Sequence, residues 1–259
     1  MRLLAIDTTT SSTGAAIYTW KPDSPQGYRE GTFEAVTLLE EDQRQAEALI
    51  PILDDMVKGA GLSPDDIDAF ACAKGPGSFT GLRIGVTMAK TMAQFSGKPV
   101  VGISSLAALA MEVDGDKGFL RVPVIDARAN RIFAAAYPPP AEGFGSPKET
   151  DLMSAPLIPE ALYYQEDFLE KLTRLVEEGV HSGVVFSGKG MATHPYLVDR
   201  ADFPSVIYQG QGRLSPIRSI ARLAAARLDR DHSDSPLDLT PNYLRKSQAE
   251  LDRSRHENR

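Results

Sequence analysis

The chain has 259 residues, 42% hydrophobic and 24% charged, which fits an ordinary globular protein and argues against wholesale disorder. Its formal net charge of −7 argues against an independent grip on nucleic acid, because phosphate contacts reward a basic face. The single cysteine, Cys72, excludes an internal disulfide framework. No secretory signal is visible, and no window approaches the roughly 18 apolar residues of a membrane span, so the expected location is the cytoplasm.

Arg2–Ile6 is short, apolar and stopped by Asp7, the pattern of a buried strand. Thr8–Thr13 is a run of small hydroxyl residues and reads as a turn. Gly14–Trp20 is a second strand, Lys21–Gly27 a proline-rich hairpin loop and Thr32–Leu38 a third strand. At Gln43 the period changes. Through Lys58, Ala46, Leu49, Ile50, Leu53 and Val57 recur at helical spacing, with a second stripe of Ala48, Ile52 and Met56 on a neighbouring face. Gly59 and Gly61 end this helix. Ala69–Ala73 is a buried strand in which Cys72 reads as a small packing residue. Gly75-Pro76-Gly77 is a tight turn, and Ser78 is the N-cap of a helix running to about Phe95. That helix also carries two apolar stripes: Leu82, Gly85, Ala89 and Met92, and Ile84, Met88 and Phe95. Pro99–Ile103 is a fifth strand.

The second half repeats part of this order. Phe119–Ile125 and Arg131–Tyr137 form a hairpin through Asp126–Asn130, followed by a helix over Gln165–Glu178 and a strand over Val184–Phe186. Pro216–Leu228 is an amphipathic helix with proline in a favoured first-turn position. Pro138–Thr150 reads as an exposed loop, and Ser247–Arg259 as a frayed or disordered tail. A strand-strand-strand-helix unit used twice gives the fold class: α/β, of the actin-like, Hsp70-like and sugar-kinase-like (ribonuclease H-like) architecture. The expected division is a first subdomain of residues 1–103 plus 216–246 and a shortened second one of 104–215. This analogy concerns fold alone.

Two stretches could carry chemistry. In Asp7-Thr8-Thr9-Thr10-Ser11-Ser12, a strand ends in a carboxylate and is followed by hydroxyls; such a loop either presents donors to a nucleotide phosphate or simply bonds its own turn. In Lys74-Gly75-Pro76-Gly77-Ser78-Phe79-Thr80-Gly81-Leu82-Arg83-Ile84-Gly85, lysine precedes the glycines, so this is not a Walker loop. A glycine turn opening a helix either binds an anion or makes a close-packed corner. Arg83 lies at the positive end of the helix dipole, an unfavourable place that points to a specific partner, a carboxylate for instance, or leaves a solvated arginine. The four histidines, His181, His194, His232 and His256, show no metal-ligand spacing, so no metal site is expected.

The Gly75–Gly85 stretch resembles the signature of the TsaB family, proteins of bacterial tRNA threonylcarbamoyladenosine biosynthesis. The opening Asp7-Thr8, the Ile125-Asp126-Ala127-Arg128 corner and the closing Pro241-Asn242-Tyr243-Leu244-Arg245 match it in the same order. The resemblance implies a non-catalytic dimerisation subunit for TsaD, the transferase that modifies adenosine beside the anticodon, with the ATPase TsaE joining the assembly. It implies no cofactor of its own, ATP or ADP only in the complex, tRNA held only through the complex, and possible homodimers in isolation. Where the family often carries a histidine near the start of the first long helix, this chain has Gln45. The family's partner surface, formed by the two long helices, implies an interface drawn from Leu49, Ile52, Met56, Leu82, Val86 and Met88, unless both stripes are buried within this chain. Two alternatives remain open: a small-molecule kinase of the same superfamily, with Asp126 as base and Ser187-Gly188-Lys189-Gly190 as a phosphate turn, and a glycoprotease-like hydrolase.

Overall fold

The computed structural model describes residues 1–10, 12–22, 27–39, 45–113, 118–139, 156–208 and 215–245. Gln43, most of the Pro138–Thr150 loop and the Ser247–Arg259 tail lie outside them. The first half runs β1 (Arg2–Asp7), β2 (Thr13–Thr19), β3 (Thr32–Leu39), α1 (Gln45–Gly59), β4 (Ala69–Gly75), α2 (Phe79–Ser96), β5 (Val100–Ser104) and α3 (Ser105–Met111). The second runs β6 (Phe119–Asp126), β7 (Arg131–Ala136), β8 (Ile158–Tyr164), α4 (Gln165–Glu177), β9 (Gly183–Ser187), α5 (Tyr196–Asp199), β10 (Ser205–Ile207) and α6 (Ile217–Leu228).

The strands form two sheets, ordered β3-β2-β1-β4-β5 and β10-β9-β6-β7-β8. In each, the first three strands of the half are antiparallel neighbours and the last two pair in parallel. Read from β8, the second order repeats the first strand for strand, so the molecule is a duplicated actin-like, sugar-kinase-like α/β fold. The second half is shortened: the place of the 18-residue α2 is taken by the four-residue α5.

Both faces of the first sheet are covered, which is why β1 and β4 read as continuous apolar runs. Leu4, Ile6, Ile17, Phe70 and Cys72 pack under α1 and α2. Leu3, Ala5, Ala16, Tyr18, Val101 and Ile103 pack under α3 and α6. Although α6 follows the second half in sequence, it rests on the first sheet. α3 is buried on every side, with Ala135 of β7 and the following Tyr137 in the same cluster, and so it sits between the two sheets. α4, Met191 and Leu197 cover the far face of the second sheet. No helix among the described residues is long and apolar enough to cross a membrane.

The chain after α6 is a strap. Asp234 bridges Val100 at the edge of β5, and its carboxylate accepts from the Gly102 amide at 2.7 Å. Leu239 is buried against the same cluster as α1 and α2. The Asn242 amide donates to the Lys74 carbonyl at 2.6 Å.

Candidate functional site

The two halves place corresponding corners near each other. Asp7 ends β1, and Asp126 ends β6, the strand in the equivalent place. The glycine turn Gly75–Gly77 follows β4, and the Ser187–Gly190 turn follows β9.

Asp7 is fully buried, and both of its oxygens are engaged. Oδ1 accepts from the Thr9 amide at 3.0 Å and the Thr9 hydroxyl at 2.7 Å, and Oδ2 accepts from the Ser215 hydroxyl at 2.6 Å. Thr8 donates its hydroxyl to the Gly81 carbonyl at 2.6 Å, and the Thr9 carbonyl accepts from the Ser78 amide at 2.7 Å. Thr10 bonds within its own turn, to the Ser12 backbone. The loop thus lies directly on the opening of α2. A Cβ on Gly81 would sit 1.7 Å from the Thr8 carbonyl oxygen, one on Gly77 2.5 Å from that of Thr9, and one on Gly85 2.5 Å from the Thr8 hydroxyl. The glycines are there because another backbone occupies the space of their side chains. Ser78 accepts from the Gly81 amide as the N-cap, and the peptide bond before Pro76 is cis.

Arg83 projects from the first turns of α2. Its guanidinium lies over the Phe79 ring, 4.1 Å from the centroid, and its Nε donates to the Tyr243 hydroxyl at 3.2 Å. Phe79 and Tyr243 themselves pack with centroids 4.8 Å apart. Two residues along the strap, Arg245 donates to the Ala127 carbonyl at 3.1 Å.

That carbonyl belongs to the second corner. Arg128, Ala129 and Asn130 lie consecutively at φ 63, 53 and 57 degrees. A left-handed turn costs roughly 1–2 kcal/mol for each residue other than glycine, somewhat less for asparagine. The surroundings hold it there: the Asp126 carboxylate accepts from the Arg128 amide at 2.9 Å, and the Asn130 carbonyl accepts from the Gln165 amide at 3.2 Å. Asp126 Oδ1 also lies 2.9 Å from Nε2 of the buried His194, whose Nδ1 lies 3.1 Å from Gln165 Oε1. Burial pushes the Asp126 carboxyl up, but the hydrogen bonds from His194 and the Arg128 amide, with the charges of His194 and Arg128, outweigh it and hold the group below the usual carboxylate range. Across the halves, Lys189 donates to the Ser12 hydroxyl at 3.2 Å.

All four motifs behind the resemblance therefore meet: the Asp7 loop on the glycine turn, the closing segment on Lys74, Phe79 and Arg83, and Arg245 on the Asp126 corner. The interface expectation needs correction. Leu49, Met56 and Val86 are buried in this chain's own core, and Leu82 is buried against Gly75. These side chains are consumed by the apolar face of the first sheet, which must be covered before anything else. Ile52 and Met88 are half-buried, as are Ile84 and Met92, while Ile50 and Phe95 are exposed. Sequence reasoning missed His194, Gln165 and Ser215. The matching positions of Asp7 and Asp126 at the ends of equivalent strands were the signal that could have led to them. Cys72 is a packing residue, its thiol pushed up to about 12 by burial.

The TsaD family, tRNA N6-adenosine threonylcarbamoyltransferase, matches residues 40–252. The chain belongs to this family. Among curated relatives it is 34% identical over 159 residues to the tRNA threonylcarbamoyladenosine biosynthesis protein TsaB of Escherichia coli K12, covering 61% of this chain and 64% of that protein. It is 32% identical over 137 residues to TsaB of Bacillus subtilis, covering 53% and 55%. The aligned regions thus span between half and two thirds of these TsaB relatives. Among solved structures, YeaZ of Pseudomonas aeruginosa matches with a TM-score of 0.65 at 20% identity, covering 93% of this chain and 99% of that one. A second Pseudomonas aeruginosa protein, described as similar to peptidase YeaZ, matches at 0.69 and 22%, covering 94% and 99%. At these identities the two structures establish the fold alone.

Proposed function

We propose that this chain is a non-catalytic subunit of the machinery that places threonylcarbamoyl on tRNA adenosine beside the anticodon, acting in the cytoplasm as a dimerisation scaffold for a TsaD-type transferase. The TsaB-named relatives support the pathway. The scaffold role rests on one observation: the polar groups of the signature corner are bonded to one another, with Asp7 saturated by Thr9 and Ser215 and Thr8 spent on Gly81. A reacting site keeps donors and acceptors aimed at a substrate position; this corner aims them inward and sets a shape. The kinase alternative needs Asp126 as general base, and a carboxylate held below its usual range is a weak base. Among the described residues no three His, Cys, Asp or Glu side chains are grouped as a metal would need.

The half-open stripe of Ile52 on α1 and of Ile84 and Met88 on α2, with exposed Phe95, is the surface offered to the transferase, since an apolar patch of this kind marks a partner site. A TsaE-type ATPase joins the assembly, ATP or ADP enters with these partners, and tRNA is engaged within the complex.

The test is size-exclusion chromatography with light scattering, on the chain alone and mixed with the TsaD-type protein of the same cell. A one-to-one complex is expected, lost on Ile52→Asp or Met88→Asp with circular dichroism unchanged. If no complex forms at micromolar concentration with nucleotide and the ATPase present, the scaffold reading fails and an independent enzyme takes its place.

A further inference from the structure

Arg83 is held at both ends of its guanidinium but has nothing at its tip. Phe79 supports its flat face and Tyr243 fixes its Nε, yet among the described residues no group accepts from its two terminal nitrogens. It stands at the positive end of the α2 dipole, where a cation is disfavoured unless an anion joins it. Fixing a long side chain there sacrifices rotamer freedom. Stacking and a hydrogen bond to a residue 160 positions away aim the two-pronged edge outward, the geometry that suits a phosphate or carboxylate.

Two features select the anion. Arg245, two residues beyond Tyr243, is tied by one nitrogen to the Ala127 carbonyl, and the next residue, Arg128, is exposed on the strained corner. Asp126 beneath that corner is already bonded by His194 and by the Arg128 amide. The strap therefore leads from Arg83, through Tyr243 and Arg245, to the corner that carries Arg128, and so brings three arginines to one side of a chain of net charge −7. A single partner carboxylate would need one arginine; three along one strap suit a repeating anion. The exposed aromatic pair does not serve as a base-stacking platform, because Phe79 and Tyr243 are engaged with each other and with Arg83.

We propose that Arg83, positioned by Phe79 and Tyr243 and extended by Arg245 and Arg128, binds the phosphodiester backbone of RNA, so that this chain contacts tRNA directly inside the assembly. This rests on the proposed function and adds a contact to it. The contact reads no bases. It orients the RNA, and it is too small to hold RNA without the partner.

The experiment is fluorescence anisotropy with a fluorescein-labelled tRNA transcript, titrated with the assembled complex and with the chain alone across a salt series. Arg83→Gln is expected to weaken binding by the complex about five- to tenfold and to lower the slope of log affinity against log salt by about one. Tyr243→Phe, which keeps the ring and removes the Nε acceptor, is expected to weaken binding while leaving the slope unchanged, as a positioning residue does. Complex formation is followed in parallel by light scattering. Intact complexes with unchanged RNA affinity in Arg83→Gln would overturn the RNA contact and leave the scaffold standing. Loss of the complex itself would also overturn it, assigning Arg83 to a partner carboxylate. If the wild-type chain forms no complex, the proposed function itself fails, and the RNA contact, which acts only inside the assembly, falls with it.

Discussion

Gly81 and Gly59 are both helical glycines, and they carry opposite consequences. At Gly81 a methyl group would meet the Thr8 carbonyl at 1.7 Å, a backbone atom in a buried strand end that cannot swing aside. Gly81→Ala is expected to cost about 3 kcal/mol or more, above the usual range for overpacking, because α2 must separate from β1. At Gly59 nothing lies within 4 Å, and Gly59→Ala is expected to be neutral or stabilising by up to about 1 kcal/mol. Urea melts of the two variants check this, and equal stabilities would sink the account of the corner. The cluster Gly75–Gly85 was legible as a turn opening a helix because glycine, proline and serine punctuate a chain locally. That it seats Thr8 and Thr9 was not legible, since contacts 70 residues apart leave no trace in spacing. His194 left no trace in spacing for the same reason, since its partners Asp126 and Gln165 lie 68 and 29 residues away, and only the equivalence of the Asp7 and Asp126 corners pointed toward it.

Among the elements, the striped helices and the short apolar strands were read correctly, while α3, β8, α5 and β10 were missed. α1, α2, α4 and α6 each present one face to a sheet, and their stripes show it. α3, Ser-Leu-Ala-Ala-Leu-Ala-Met, is apolar all round because it lies between two sheets, so it offers no moment to detect. β8 carries Pro159, which argues against a central strand and is tolerated here because β8 is an edge. The two stripes of α1 and α2 were legible, but which one faces inward was not, because that depends on the sheet beneath. The strap supplies a stability test at this scale. Asp234 accepts a bidentate pair from Arg227, at 2.9 and 3.2 Å, and the Gly102 amide. Burial raises its carboxyl, but the bonds from Arg227 and Gly102 and the charges of Arg227 and Lys74 lower it further, so its folded pKa lies below the unfolded one. The stabilisation is therefore fully present above about pH 4 and is lost as pH falls through the folded value. Asp234→Asn is expected to cost about 1.5–3 kcal/mol at neutral pH and to flatten the acid limb of the stability curve. Melts from pH 3 to 7 that are parallel for both proteins would contradict it.

At the scale of the whole molecule, the halves are tied by more than the corner. Glu160 of β8 accepts from Ser104 at the end of β5, at 2.6 Å, and from the buried Tyr137. Burial and the Glu160 charge drive the Tyr137 phenol upward, so it stays a donor. Tyr137→Phe is expected to cost about 1–2 kcal/mol, and a double-mutant cycle with Ser104→Ala to show coupling above about 0.5 kcal/mol, since both serve one carboxylate. Additive losses in thermal melts would show that the two bonds act separately. The duplicated architecture was legible from the order of strands and helices. The way the halves share helices was not, because connectivity alone does not say which sheet a late helix will cover. The placement of α6 bears on how the protein is made. Leu3, Ala5, Ala16 and Tyr18 wait for Ile217–Leu228 to bury them. During synthesis the opening sheet therefore leaves the ribosome with part of one greasy face bare until the chain has been translated through Leu228. Long-range closure of this kind is slow and prone to off-pathway association. A nascent chain stalled before residue 217 should be a client for chaperones, however stable the finished molecule is.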